Sequence, residues 1–388
     1  MSTQTAAQDT SHLSTANGTK RTVLEGVPRI MFYEGGIRCP EDLIFPSTLR
    51  AWLEYMQDQN FGCKHCLALA PECKTTCTYS FLVGVSGIAA FLSWGADWQG
   101  DNPAIHYMSA MPDGPYRRAL DAIGYRWEWV LKETGRDNTE RFRSQIRQSI
   151  DAGRPVIGFG VIGPPEPALI TGYDDDGDTL IGWSFFQNIP DFNRGVGFEP
   201  SGYFRKRDWF KDTECLVVLG ERTALPDLKT TILSALKWMV DVAGQPSAYP
   251  ARANGLDAYK AWASDVGRDD QFPPDSEAIL RLRHQVHNDA IGMVAEARWY
   301  GALFLMQAID YVHWNMTEDV LHAAACFTAE HALMWKLWDL AGGNGNPDAY
   351  KFMADPALRR RMSDVILQSR SKYSDAIDHI KHALTLVA

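Results

Sequence analysis

The hydrophobic periodicity of this chain changes once, and that change limits the fold more than any other feature. Between residues 155 and 221 the apolar runs are short: "PVIGFGVI" (155–162), "ALITGY" (168–173), "DTLIGW" (178–183) and "CLVVLGE" (215–221). Short apolar runs rich in β-branched residues and bounded by turn signals read as strands. Asp176-Gly177 within "DDDGD" predicts a tight hairpin between the middle two. From about residue 225 such runs stop. "LKTTILSALKWMVDVA", "EAILRLRHQVHNDAIGMVAEARWYGALFLMQAIDYV", "TEDVLHAAACFTAEHALMWKLWDLA" and "LRRRMSDVILQSRSKYSDAIDHIKHALTLV" place apolar residues at helical spacing. "GQPSAYPARANG" (244–255) is a loop among them.

Helices are also expected before the strands. "FPSTLRAWLEYMQ" (45–57) sets Leu49, Trp52, Leu53 and Met56 on one face, with Ser47 as its cap. "FLVGVSGIAAFLSW" (81–94) reads as a core helix. "DGPYRRALDAIG" (113–124) and "TERFRSQIRQSIDAG" (139–153) each stop at a glycine, and "YRWEWV" (125–130) alternates like a strand. Helices first and strands afterwards predict an α+β domain with an antiparallel sheet, followed by an all-α helical bundle. The expected boundaries are a disordered tail over 1–24, the α+β domain over 25–222 and the helical domain over 223–388. No internal repeat is evident.

Composition excludes several partner classes. The formal net charge is −10, which argues against nucleic acid or an anionic membrane as the main partner. No apolar run reaches the roughly 20 residues of a spanning helix. Residues 1–20 are rich in Ser, Thr, Gln and Ala, with no hydrophobic signal core and no arginine. That pattern predicts a cytoplasmic protein, in which the seven cysteines are thiols or ligands rather than a disulfide framework.

Four of those cysteines, Cys63, Cys66, Cys73 and Cys77, fall within "CKHCLALAPECKTTC", together with His65. Cys-x2-Cys is a zinc-knuckle spacing, and a closed zinc site wants four soft ligands. The six-residue gap before Cys73 is short for a two-knuckle site. Zinc, a disulfide and unlinked thiols are all compatible with the cluster; no cofactor is expected, with zinc as the one alternative. A zinc site that used Cys77 would exclude that sulfur as a nucleophile.

Three features point to a known family. Cys77 immediately precedes an apolar helical run, "GRPVIGFGVI" (153–162) has the form Gly-[Lys/Arg]-Pro-Val-Ile-apolar, and "ALITGYDDDGDTLIGW" (168–183) carries an apolar-apolar-x-Gly-Tyr-Asp hairpin. In these features residues 70–221 resemble the papain-like cysteine peptidase superfamily. The likeness is greatest to bacteriocin-leader peptidases and to the N-terminal domain of the butirosin-biosynthesis acyltransferase. The helical C-terminal half is similar to the extension of the acyltransferase-like relatives. The resemblance implies a papain-like α+β fold with Cys77 as nucleophile. A cysteine at a helix N-terminus meets the positive end of the dipole and free N–H groups, which favour the thiolate and can hold an oxyanion. Gly84 and Gly87 would let a strand pack closely on that helix.

The family's catalytic histidine lies six residues before the glycine of the hairpin. Counting back from Gly172 reaches Glu166, and no histidine occurs between His106 and His284. The orienting Asn or Asp of the next strand falls near Ser184, and the helper Gln near Pro71 or Glu72. An ordinary Glu titrates about four units below an ordinary Cys, so proton transfer between them is uphill by nearly ~6 kcal/mol. Glu166 is therefore either a substituted catalytic group or a strand-edge carboxylate. In the helical half, His287, Asp289, Glu296, Arg298, Glu330 and His331 read as bundle contacts, because the Glu-x-x-His pairs of a di-iron bundle are absent. Trp299, Tyr300, Trp335 and Trp338 read as core.

These residues lead to three expectations. The first is thiol-dependent acyl transfer or amide hydrolysis on a small-molecule, peptide or acyl-carrier substrate, through Cys77, with Glu166 and Ser184 at the other family positions. Its base would come from outside the strand region, with His65, His106 or a bundle histidine as candidates. The second is an inactive papain-fold binding module, and the third a zinc-stabilised scaffold. Oligomeric state is not legible.

Overall fold

A computed structural model describes residues 20–30, 41–61, 74–343 and 345–386. The chain forms two compact units that interleave along the sequence. One takes its described residues from 1–33, 44–58 and 124–224, the other from 34–43, 59–123 and 225–388. The last crossing, at 224/225, falls beside the expected boundary at 222/223. Residues 59–123, expected with the strands, belong instead to the helical unit.

The first unit is an antiparallel sheet with two helices. Strands β1 (Thr22–Val23), β3 (Tyr125–Leu131), β4 (Val156–Phe159), β5 (Pro167–Asp174), β6 (Thr179–Trp183), β7 (Val196–Phe198), β8 (Phe204–Arg207) and β9 (Cys215–Arg222) form one sheet in the order β3-β9-β4-β5-β6-β8-β7. The two residues of β1 pair with Gly172 and Tyr173 of β5. Helix α1 (Ile44–Tyr55) packs on β5 and donates the Trp52 indole N–H to the Pro155 carbonyl at 2.9 Å. Helix α4 (Thr139–Asp151) packs on β4, β5 and β9. Because α1 begins at Ile44, Ser47 lies within it and is not its cap.

The β5–β6 hairpin turns through three successive residues at positive φ: Asp175 at 51°, Asp176 at 55° and Gly177 at 98°. Asp tolerates that region and Gly occupies it freely, which is why "DDDG" serves here. Strands β7 and β8 had no clear sequence signal. Their pattern is mostly half-exposed, as suits strands at the margin of a sheet.

The second unit is helical. Its described elements are α2 (Lys74–Ser86), α3 (Gly114–Ala122), α5 (Leu228–Gly244), α6 (Gly255–Gly267), α7 (Glu277–Ala308), α8 (Thr317–Ala341) and α9 (Pro356–Thr385). A two-strand ladder joins β2 (Ser93–Gly95) to β10 (Arg252–Asn254). The core helix expected over 81–94 stops at Ser86. Gly87 then takes φ +88° and a short 3-10 turn follows. The two glycines of this region admit side chains, not a strand. A Cβ on Gly84 would lie 2.2 Å from the Phe304 ring of α7, and one on Gly87 would lie 2.4 Å from the Trp238 indole of α5.

Several buried polar groups inside this unit are paired. The Arg298 guanidinium is fully buried, donates Nε to Glu330 at 2.8 Å, Nη1 to the Ala89 carbonyl at 2.5 Å and Nη2 to the Tyr259 hydroxyl at 2.9 Å, and lies 4.6 Å from the Tyr373 ring. The Tyr259 hydroxyl donates to Glu330 in turn. Both ring nitrogens of His331 are engaged, one with the Ala295 carbonyl and one with the Trp335 indole. Asp289 is exposed. Of the bundle residues singled out, His287, Glu296, Arg298, Glu330 and His331 make structural contacts. No helix among the described residues is long and apolar enough to cross a membrane.

Candidate functional site

Cys77 is the fourth residue of α2, in its first turn. From Cys77 to Ser86 every residue is buried, so tertiary packing rather than an amphipathic stripe holds this helix. Three contacts fix it against α7. Gly84 receives Phe304, the Tyr79 hydroxyl donates to the Glu296 carboxylate, and the Gln307 amide donates to the Cys77 carbonyl at 3.1 Å. Glu296 also accepts the backbone N–H groups of Asp42 at 2.7 Å and Leu43 at 3.1 Å. Burial holds its carboxyl well above the usual carboxylate range, with the Asp42 charge adding to the effect.

The surroundings of Cys77 contain two polar atoms that the sequence did not single out. The Thr78 hydroxyl and the Gln307 side-chain carbonyl are buried and have no hydrogen-bond partner among the described residues. Native interiors carry few such atoms, because each costs about 1–3 kcal/mol to desolvate unpaired. Gln307 is 230 residues from Cys77 in sequence, so no local motif could reveal the pairing. Cys77 is 7% exposed. Its position in the first turn aligns the sulfur with the positive half of the helix dipole.

Glu166 lies in the other unit, immediately before β5. Its backbone is fixed on both sides: the amide donates to the Pro164 carbonyl at 2.6 Å, and its carbonyl accepts from the Gly160 amide at 3.2 Å. The side chain is half-buried, with no hydrogen-bond or ion-pair partner among the described residues. Burial pushes its carboxyl up to about 7. A carboxyl at that value both gives and takes protons at neutral pH. The gap to an ordinary thiol shrinks from about four units to ~1.5, or ~2 kcal/mol.

Ser184 follows β6 and is buried. Its hydroxyl accepts the Phe186 amide at 3.2 Å, and the Gln187 side chain accepts the Ser184 amide at 2.9 Å. This reciprocal pair caps a short 3-10 turn over Phe185–Asn188. Glu166 and Ser184 share one end of the β5–β6 hairpin, whereas Cys77 belongs to the helical unit. Cys63, Cys66 and Cys73, and with them the zinc reading, lie outside the described residues, as do His65, Pro71 and Glu72. No cluster of three or more ligating side chains suited to a metal occurs among the described residues. Comparison with protein-family models and with curated protein sequences returns no match.

Proposed function

We propose that this chain performs thiol-dependent acyl transfer or amide hydrolysis with Cys77 as nucleophile, on a degenerate papain-like arrangement that lacks the family's histidine. The observation that carries this reading is the place of Cys77 in the first turn of a helix that is buried from Cys77 to Ser86. There the dipole and the unsatisfied N–H groups favour both a thiolate and an oxyanion. The thiolate attacks the carbonyl carbon of an acyl donor, a C–S bond forms, and the bond to the leaving group breaks as that group takes up a proton. An amine or water then attacks the thioester and returns the thiol. The substrate is an acyl or amide group on a small molecule, a peptide or a carrier. Several described histidines are engaged elsewhere: His287 through Nδ1 with Trp262, His331 with Ala295 and Trp335, and His379 and His382 with Asp319.

Incubation with a simple thioester acyl donor, followed by intact-mass analysis and peptide mapping, tests this reading. Acylation of Cys77, absent in Cys77→Ala, is the expected outcome. Labelling that persists unchanged in Cys77→Ala, or no adduct on Cys77, refutes it. The burial of Cys77 favours an inactive binding module as the second reading, which predicts a thiol that resists both the acyl donor and iodoacetamide.

A further inference from the structure

The sheet unit holds a cleft of about 460 Å³, bounded by the 161–164 turn, the 191–194 loop, Lys206 of β8 and Asp212. That volume suits a small ligand. Its charged side chains are two of each sign: Asp191 and Asp212, Arg194 and Lys206. On the neighbouring β5, β6 and β8 segments, opposite charges pair. Arg205 binds Asp174 and Glu199, Arg207 binds Asp175, and Arg143 on the adjoining helix binds Asp178. Around the cleft they do not. Among the described residues no ion pair joins any of the four. The Lys206 ammonium instead donates to the Arg194 backbone carbonyl at 3.2 Å, which leaves the guanidinium free to meet a ligand. Phe192 also lines the cleft and is 40% exposed, an apolar surface beside the charges.

Two cations and two carboxylates that share a cleft without pairing complement a molecule carrying both charges. We propose that this cleft binds a small zwitterion of the α-amino-acid or dipeptide type. Arg194 and Lys206 take its carboxylate, Asp191 and Asp212 its ammonium, and Phe192 with the 161–164 turn covers its apolar side chain. Arg194 provides the planar fork that matches a carboxylate. The proposal is independent of Cys77, which lies in the other unit.

Titration of the full chain with L-phenylalanine, 3-phenylpropionate and 2-phenylethylamine, followed by amide chemical shifts, tests it. Saturable binding of L-phenylalanine is expected, with shifts centred on 161–164 and 191–194. Each analogue, lacking one charge, should bind at least about tenfold more weakly, as loss of a charged hydrogen bond implies. Arg194→Gln and Asp212→Asn replace exposed side chains, and each should weaken L-phenylalanine by a similar factor. No saturable binding of L-phenylalanine at millimolar concentration, equal binding of either analogue, or unchanged affinity in both variants would overturn the assignment.

Discussion

Replacing Glu166 with glutamine tests whether burial sets the chemistry of the sheet unit. The carboxyl is shifted from 4.5 to about 7, a difference of about 2.5 units, or ~3.4 kcal/mol between its two protonation states. The sign follows from proton counting. Between the unfolded and folded values the native state holds more protons than the unfolded chain, so stability falls as pH rises from about 4.5 to about 7. Above 7 the full penalty of an ionised, half-buried carboxylate applies. Glutamine carries no charge at any of these values. The variant should therefore match the parent near pH 4 and be more stable above pH 7 by up to ~3 kcal/mol. Amide exchange of β4 and β5, compared at pH 5 and pH 8, reports the opening of this unit without requiring the whole chain to unfold as one. Carbon-13 titration of the Glu166 carboxyl gives the value directly. A carboxyl that titrates near 4.5, or a variant whose β4–β5 protection keeps the parent's pH dependence, refutes the reasoning.

Two further substitutions test the helical unit. Arg298→Met leaves Glu330 buried without its guanidinium and should destabilise the protein by about 3–5 kcal/mol, whereas Arg298→Met combined with Glu330→Leu should recover much of that loss in urea unfolding. Gly84→Ala places a Cβ 2.2 Å from the Phe304 ring and should cost about 1–3 kcal/mol. A second change, Phe304→Leu, should relieve part of the strain, and a neutral Gly84→Ala would disprove the close approach of α2 and α7.

The fold class was legible in the residues because it rests on periodicity. Strands β5, β6 and β9 and helices α4, α7, α8 and α9 occur where short apolar runs or helical spacing placed them, within a few residues. The "DDDG" turn was legible for a different reason: few residues accept three successive positive φ angles. The end of α2 was not, since "FLVGVSGIAAFLSW" is interrupted only by small glycine and serine residues, and nothing local in its hydrophobicity separates helix from strand. Packing of Trp238 against Gly87 accompanies that ending. Strands β2 and β10 stayed hidden because three-residue ladders are stabilised by their partners, here about 160 residues apart.

The candidate site divides in the same way. Cys77, Glu166 and Ser184 could be named from the family resemblance, which also placed a helix start at the cysteine; the helix instead already includes Lys74, three residues earlier. Their environments could not. The amide that grips the Cys77 carbonyl comes from α7, and the Ser184 hydroxyl is engaged with the Phe186 amide. The cleft charges come from β8 itself and from the loops on both sides of the β7–β8 pair. Sequence by itself determined the longer helices, the central strands and which side chains can do chemistry, since those depend on periodicity and functional group. Tertiary structure alone decided what each group can do, because desolvation and partner charges act through space. Burial moves the Glu166 carboxyl to about 7, and no neighbour along the chain carries that information.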